Sequence, residues 1–231
     1  MTHESTARPL DAAARAVKKT TPRRKPSLLI ADCEFIKPTR IARELFILET
    51  LALDSSLSQH KLGESSFLSG AMINQYLRTL QEKGLIRFVP AGNKAYTYEP
   101  TEEGAALRRS MFAAYSGELV RLYSALKRCI LEKVSCLDRK GIRKIALFGA
   151  SETGEVVLSA LAESNFDVVA VVDNDPEKHG KPFKGHIVCS PEVLQYIPIQ
   201  AVVITSFGHQ DEIYAQIAPL ANSKGMEVMK L

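Results

Sequence analysis

Apolar residues recur at two different spacings along this chain. Ile73, Leu77 and Leu80 fall at i, i+4 and i+7, which is one stripe of an α-helix. Ser69 stands where a hydroxyl caps such a helix, and Gly84 follows its last periodic residue, where a left-handed C′ position is expected. Upstream, Ser58-Gln59 opens a short helical turn with Leu62 inward, and Ser65-Ser66 should break it. Downstream, Leu85–Val89 and Ala95–Tyr98 are rich in β-formers around the turn Pro90-Ala91-Gly92-Asn93. The stretch Leu57–Tyr98 therefore reads as helix, turn, helix and hairpin. An earlier helix is predicted over Pro38–Ala52, with Pro38 at an early helical position and Ile41, Leu45, Ile47, Leu48 and Leu51 on its apolar side. Glu102–Leu137 is predicted as a long helical region, broken near Ser116-Gly117 and apolar on more than one stripe.

Beyond Asp138-Arg139-Lys140-Gly141 the pattern changes to short β runs alternating with helices. Strands are expected at Lys144–Phe148, Asp167–Val172, His186–Cys189, Ala201–Thr205 and Met226–Leu231. Helices are expected at Val156–Leu161, Pro191–Tyr196 and Gln210–Asn222. Such alternation implies a parallel, doubly wound sheet. The expected fold class is α/β plus winged helix: a winged helix-turn-helix domain with long helices, then a Rossmann-like parallel sheet. The expected divisions are an arm at 1–26, the winged helix at 27–104, dimerisation or linker helices at 105–140 and the sheet domain at 141–231.

The helix bearing Ile73 presents Gly70, Ala71, Asn74, Gln75 and Arg78 on its opposite face, next to Ser69. Small residues allow close approach to base edges. Asn and Gln pair bidentately with adenine, and Arg with guanine or phosphate. No acid lies between Ser66 and Gln81, whereas an ordinary solvated face would be rich in Glu and Lys. Lys94, in the wing, is expected on the DNA backbone. A helical hairpin used for protein contact is the alternative.

Charge supports a division of labour. Residues 1–40 hold nine Lys/Arg against four Asp/Glu, and residues 41–140 hold fourteen against eleven. Residues 141–231 hold seven against eleven. Phosphate neutralisation favours the first two segments. The arm is either a backbone-tracking extension or a solubilising tail. The four cysteines lack metal-ligand spacing, and Cys129 and Cys136 are read as buried thiols. The five histidines pair with no nucleophile motif, so catalysis finds no support. No apolar run reaches the roughly 18 residues of a membrane span, and the cytoplasm is the default location.

Ile41–Gly104 resembles the MarR-type winged-helix regulators, in particular the branch associated with exopolysaccharide gene clusters. Ser58-Gln59, Asn74, Leu77…Leu80…Lys83-Gly84-Leu85 and Tyr98-Glu99-Pro100-Thr101-Glu102-Glu103-Gly104 carry the likeness, with Pro100 in place of an apolar residue. The resemblance implies binding of double-stranded DNA. A homodimer is expected from the broad apolar surface of Glu102–Leu137, with packing against the C-terminal domain of the same chain as the alternative.

A strand, a Gly-containing turn, a helix and a second strand ending in Asp form the context of a dinucleotide fingerprint. Here the turn is Gly149-Ala150-Ser151-Glu152-Thr153-Gly154, and Asp173-Asn174 follows. Gly149 permits the tight turn and Gly154 close helix–strand packing. Free N–H groups at the helix start can hold a phosphate. Asp173 would accept from ribose hydroxyls. Ser151 replaces the middle glycine, and Glu152 places a negative charge beside the anion position. From Lys144 onward the chain resembles the Rossmann-type domain of polysaccharide-biosynthesis enzymes, and also the NADH-sensing domain of the redox-sensing repressors. Asp173-Asn174-Asp175-Pro176…Gly180 is the most specific element. These resemblances imply a small nucleotide ligand, either a nucleotide sugar or NAD(H). His179 and His209 are placed in loops at the same sheet edge.

Together the readings predict a transcription regulator, not an enzyme, with a nucleotide-sensing domain and a link to polysaccharide genes. The alternatives are a nucleotide-sugar-modifying enzyme and a scaffold that binds no ligand.

Overall fold

The computed structural model describes residues 36–66, 68–92 and 96–231. The arm 1–26, nearly all of the segment 27–36, Cys33 and Lys94 lie outside the described residues. Two compact units divide between Tyr115 and Ser116.

The first unit contains helices α1 (Arg40–Leu53), α2 (Gln59–Ser66) and α3 (Gly70–Glu82), then strands β1 (Ile86–Pro90) and β2 (Tyr96–Pro100). Helix α4 (Glu102–Arg139) begins here and continues into the second unit. It runs unbroken through Ser116-Gly117: one glycine in a helix this long costs only about 1 kcal/mol, too little to break it. Helix α1 starts later than expected. Thr39 is its N-cap, accepting from the Ala42 N–H, so Pro38 lies before the helix. Ile41, in the first turn, is 68% exposed, and Glu44 and Phe46 are buried beside Leu45, Ile47, Leu48 and Leu51. Ser66 belongs to α2 and does not end it earlier.

The core of this unit joins Leu48 and Leu51 of α1, Leu62 of α2 and Ile73, Leu77 and Leu80 of α3. At roughly 1.5–3 kcal/mol per buried aliphatic side chain, the α3 stripe alone is a major part of the packing energy. Strands β1 and β2 pair antiparallel, with Phe88 opposite Tyr98 and their rings edge to face at 4.9 Å.

The second unit is a six-stranded sheet of order β5-β6-β4-β3-β7-β8. Its strands are β3 (Lys144–Phe148), β4 (Asp167–Val172), β5 (Pro182–Phe183), β6 (His186–Cys189), β7 (Ala201–Ile204) and β8 (Glu227–Lys230). Five of them are parallel. The two-residue β5, absent from the sequence reading, pairs antiparallel with β6 at one edge. Helices α5 (Glu152–Leu161) and α6 (Gln210–Lys224) cross opposite faces.

Continuous apolar runs in β3, β4 and β7 follow from burial on both faces. Ile145, Leu147, Ala201 and Val203 face α5, while Ala146, Phe148, Val202 and Ile204 face α6. Ile130, Val134 and Leu137 of α4 complete the α5 side. Packing within the second unit thus accounts for the last turns of α4. Leu107, Phe112, Val120, Leu122, Tyr123 and Leu126 remain exposed on the same helix. Cys129 is exposed and Cys136 half-buried, contrary to the expected buried pair. Among the described residues no helix is long and apolar enough to cross a membrane, and none of their His, Cys, Asp and Glu form a group suited to a metal ion.

Candidate nucleic-acid interface and ligand crevice

Helix α3 is fixed at both ends. Ser69 caps it, its hydroxyl accepting from the Met72 N–H at 3.4 Å. The Gln59 side chain donates to the Gly70 carbonyl at 3.1 Å, tying the start of α3 to α2. At the other end Gly84 takes φ +71°, the left-handed turn that glycine adopts most cheaply. The chain leaving the wing returns to this point. Thr101 donates its hydroxyl to the Gly84 carbonyl at 2.7 Å and accepts from the Gly104 N–H at 3.0 Å. A Cβ at Gly104 would lie 1.9 Å from the Leu85 carbonyl oxygen. The Thr-x-x-Gly motif is therefore a clamp between the C-terminal end of α3 and the start of α4. Lys83 adds an ion pair at 3.3 Å to the buried Glu44 of α1.

With α3 held this way, Ser69, Gly70, Ala71, Gln75 and Arg78 are exposed and Asn74 is half-buried. Ile73, Leu77 and Leu80 are buried. The expected outer face is thus presented as one surface. Lys94 lies outside the described residues. Arg87 in the wing is engaged by Glu99, so it is not a free cation.

In the second unit, Gly149 leaves β3 at φ +121° and donates to the Val172 carbonyl. Thr205, fully buried, places its hydroxyl 3.0 Å from the Phe148 carbonyl oxygen and 2.7 Å from that of Gly149. A Cβ at Gly149 would meet that hydroxyl at 2.8 Å, and one at Gly154 would meet the Gly149 oxygen at 2.4 Å. Both glycines are required by close approach, as their spacing suggested. Ser151 is the N-cap of α5 but makes no side-chain cap bond. Glu152 and Thr153 form the first turn, where backbone N–H groups have no intrahelical acceptor. Glu155 pairs with Lys184 at 3.0 Å.

Asp173 is 8% exposed at the end of β4. Its carboxylate already has three donors. One oxygen accepts from the Ala150 N–H at 2.7 Å and from Lys178 at 3.0 Å, and the other from the Asp175 N–H at 2.9 Å. Burial pushes its pKa up. The bonds from Asp175, Lys178 and Ala150 outweigh that and hold it below the usual carboxylate value. Asp173 thus anchors the β3–α5 turn, and a ribose would have to share or displace these donors. Asn174 and Gln216 exchange two amide hydrogen bonds at 2.9 and 3.0 Å. His179 donates from Nε2 to the Asp173 carbonyl, and His209 lies 3.2 Å from Glu212. Of this neighbourhood only His179 and His209 are legible from sequence, and Lys178, Thr205 and Ser206–Gly208 are not. Only tertiary packing brings them to the glycine turn. A separate groove of about 890 Å³ lies along α5 and β4, lined by residues such as Val156, Ser159, Phe166 and His186.

Residues 41–87 match the family model for winged helix-turn-helix DNA-binding domains. The first unit is a winged helix-turn-helix. Residues 141–225 match a model described as C2185-like, N-terminal. No curated protein matches the chain. Among solved structures, it is similar to UDP-D-quinovosamine 4-dehydrogenase from Vibrio fischeri, at 22% identity and TM-score 0.34, over 39% of this chain and 78% of that one. It is similar to the zinc-responsive MarR family member ZitR from Lactococcus lactis, at 24% identity and TM-score 0.33, over 49% and 83%. The PcaV transcriptional regulator from Streptomyces coelicolor, solved with its natural ligand, is 20% identical with TM-score 0.30, over 40% and 75%.

Proposed function

We propose that this chain is a cytoplasmic DNA-binding transcription regulator of the MarR type whose second unit, a Rossmann-like module, senses a nucleotide. The observation that carries the first part is the outer face of α3. A helix capped at Ser69 and clamped at Gly84 holds Ala71, Asn74, Gln75 and Arg78 opposite a buried stripe. That is the form of a major-groove reader. The exposed apolar residues of α4 support assembly as a homodimer, which would carry two readers to two half-sites.

The sensing part is supported by the carboxyl edge of the sheet. Reading only the parallel strands, the order β6-β4-β3-β7-β8 is third, second, first, fourth and fifth along the chain. That order belongs to the doubly wound nucleotide-binding folds, which take ligands beside the first strand. The candidate ligand residues are Gly149–Gly154, Asp173 and Asn174, and the candidate ligands are a nucleotide sugar and NAD(H). A ligand alters DNA binding only by preferring one arrangement of the dimer. Polysaccharide-biosynthesis promoters are the first targets to examine.

Two measurements test this. Selection from random duplexes should yield one operator bound at least a thousandfold more tightly than unrelated DNA. Calorimetry with NADH, NAD and a uridine-diphosphate sugar should show one binder that changes operator affinity. Absence of any preferred duplex refutes the regulator. Turnover of a nucleotide sugar favours the enzyme reading. Absence of binding at millimolar ligand leaves the second unit as a structural module.

A further inference from the structure

We propose that Phe207 is the platform on which the nucleobase of the ligand stacks. This inference rests on the nucleotide-sensing reading and adds the group that would recognise the base. The loop between β7 and α6 runs Thr205-Ser206-Phe207-Gly208-His209. It lies directly against the glycine turn: the Cβ position of Gly149 is 3.2 Å from the Ser206 nitrogen and 3.3 Å from its Cβ. Thr205 anchors the loop in the core through its contacts to the Phe148 and Gly149 carbonyls. Two residues later the chain turns Phe207 into solvent, 54% exposed.

The place matters more than the exposure. β3 and β7 are neighbours, and their following helices pass to opposite faces of the sheet. The crevice between the two loops is the switch point where such sheets take ligands. Phe207 belongs to one of these two loops and the turn N–H groups to the other, with Asp173 at the end of the adjoining β4. The exposed Tyr196 differs, because it leads into the amino end of β7, away from this edge. Tyr214 is covered by the Lys230 ammonium at 4.5 Å. Phe207 has no such cover among the described contacts. Phosphate and ribose alone leave an apolar ring in water, whereas a flat heteroaromatic base would cover it. Aromatic side chains supply base affinity through π-stacking with little dependence on the base.

The chain has no tryptophan, so Phe207→Trp in the full-length protein installs a single reporter at the platform. The probes are NADH, NAD and a uridine-diphosphate sugar, with ribose 5-phosphate as the base-free control. Calorimetry on wild type identifies the binder. That binder should quench Phe207→Trp emission with a midpoint equal to the calorimetric Kd, and ribose 5-phosphate should not. Phe207→Ala should bind it about 5- to 150-fold more weakly, the range seen when a stacking aromatic is removed. Its unfolding midpoint without ligand should be unchanged. Calorimetric binding with no change in Trp emission, or unchanged affinity in Phe207→Ala, overturns the platform and leaves the nucleotide reading standing. Equal quenching by ribose 5-phosphate also overturns it. If wild type binds none of the nucleotides, both proposals fall.

Discussion

Replacing Asp173 by Ala removes the acceptor for three donors at once. The Ala150 N–H is buried at 2.7 Å, and leaving such a donor unpaired costs about 1–3 kcal/mol. The Asp175 N–H, part-buried at 2.9 Å, adds about 1 kcal/mol. Lys178 keeps 38% of its side chain in water and can turn to solvent, so its loss adds about 0–1 kcal/mol. The expected sum is about 2–5 kcal/mol, confined to the second unit. Hydrogen exchange read by mass spectrometry on peptides from residues 144–173 follows that unit alone, without assuming one cooperative transition for both. The slowest amides there should lose protection by about 30- to 5000-fold at neutral pH.

The pH dependence supplies the sharper check. The folded pKa of Asp173 is depressed, so its contribution is fully present above the unfolded value of about 3.9 and is lost as pH falls through the folded value. The difference between wild type and Asp173→Ala should therefore be constant from pH 7 to about 5 and shrink toward pH 3. Asp173→Asn retains one acceptor oxygen and should fall between the two. A protection change under about threefold, or one equally large at pH 3 and pH 7, would refute the anchor role.

Gly104→Ala should destabilise the first unit by about 3 kcal/mol or more, since the new Cβ has its nearest neighbour, a backbone oxygen, at 1.9 Å; exchange on peptides from residues 70–104 measures it. Asn74→Ala or Gln75→Ala should cost about 1–3 kcal/mol on the selected operator and little on random duplex, and equal losses on both would show that the wrong face of α3 was chosen. Light scattering at micromolar concentration should give twice the chain mass of 25.5 kDa, whereas a monomer that still binds DNA tightly would remove the dimer.

Where local spacing settles a structure, the sequence was readable. Ile73, Leu77 and Leu80 define the inner face of α3 because nothing outside the helix competes with a 3.6-residue stripe. Ser69 and Gly84 mark its ends through backbone chemistry confined to a few residues. The glycines at 149 and 154 were equally legible: Gly149 makes its turn at φ +121°, and only a missing Cβ at Gly154 allows the helix to approach the Gly149 carbonyl so closely. Pro38 and Thr39 both signal the beginning of α1, and the hydroxyl cap at Thr39 decides it, so the helix begins at Arg40. The expected break at Gly117 failed: a single weak helix former cannot interrupt hydrogen bonding supported on both sides.

Asp173 shows what spacing leaves undetermined. A carboxylate at the end of the second strand has the position of a ribose acceptor, but position does not say who already donates to it. The Ala150 N–H lies 23 residues away and Lys178 five residues on, in a loop closed by Gly180 on Val188. A diphosphate landing on the α5 N-terminus would meet the charge of Asp173 beside Ala150, and would need the N–H groups of the next turn instead. The free side of the crevice is then the β7–α6 loop. That loop carries no charge between Thr205 and Gly208, and it offers an aromatic ring. Recognition there would rest on base and sugar more than on phosphate, which suits a unit whose own residues 141–231 carry eleven acids against seven bases.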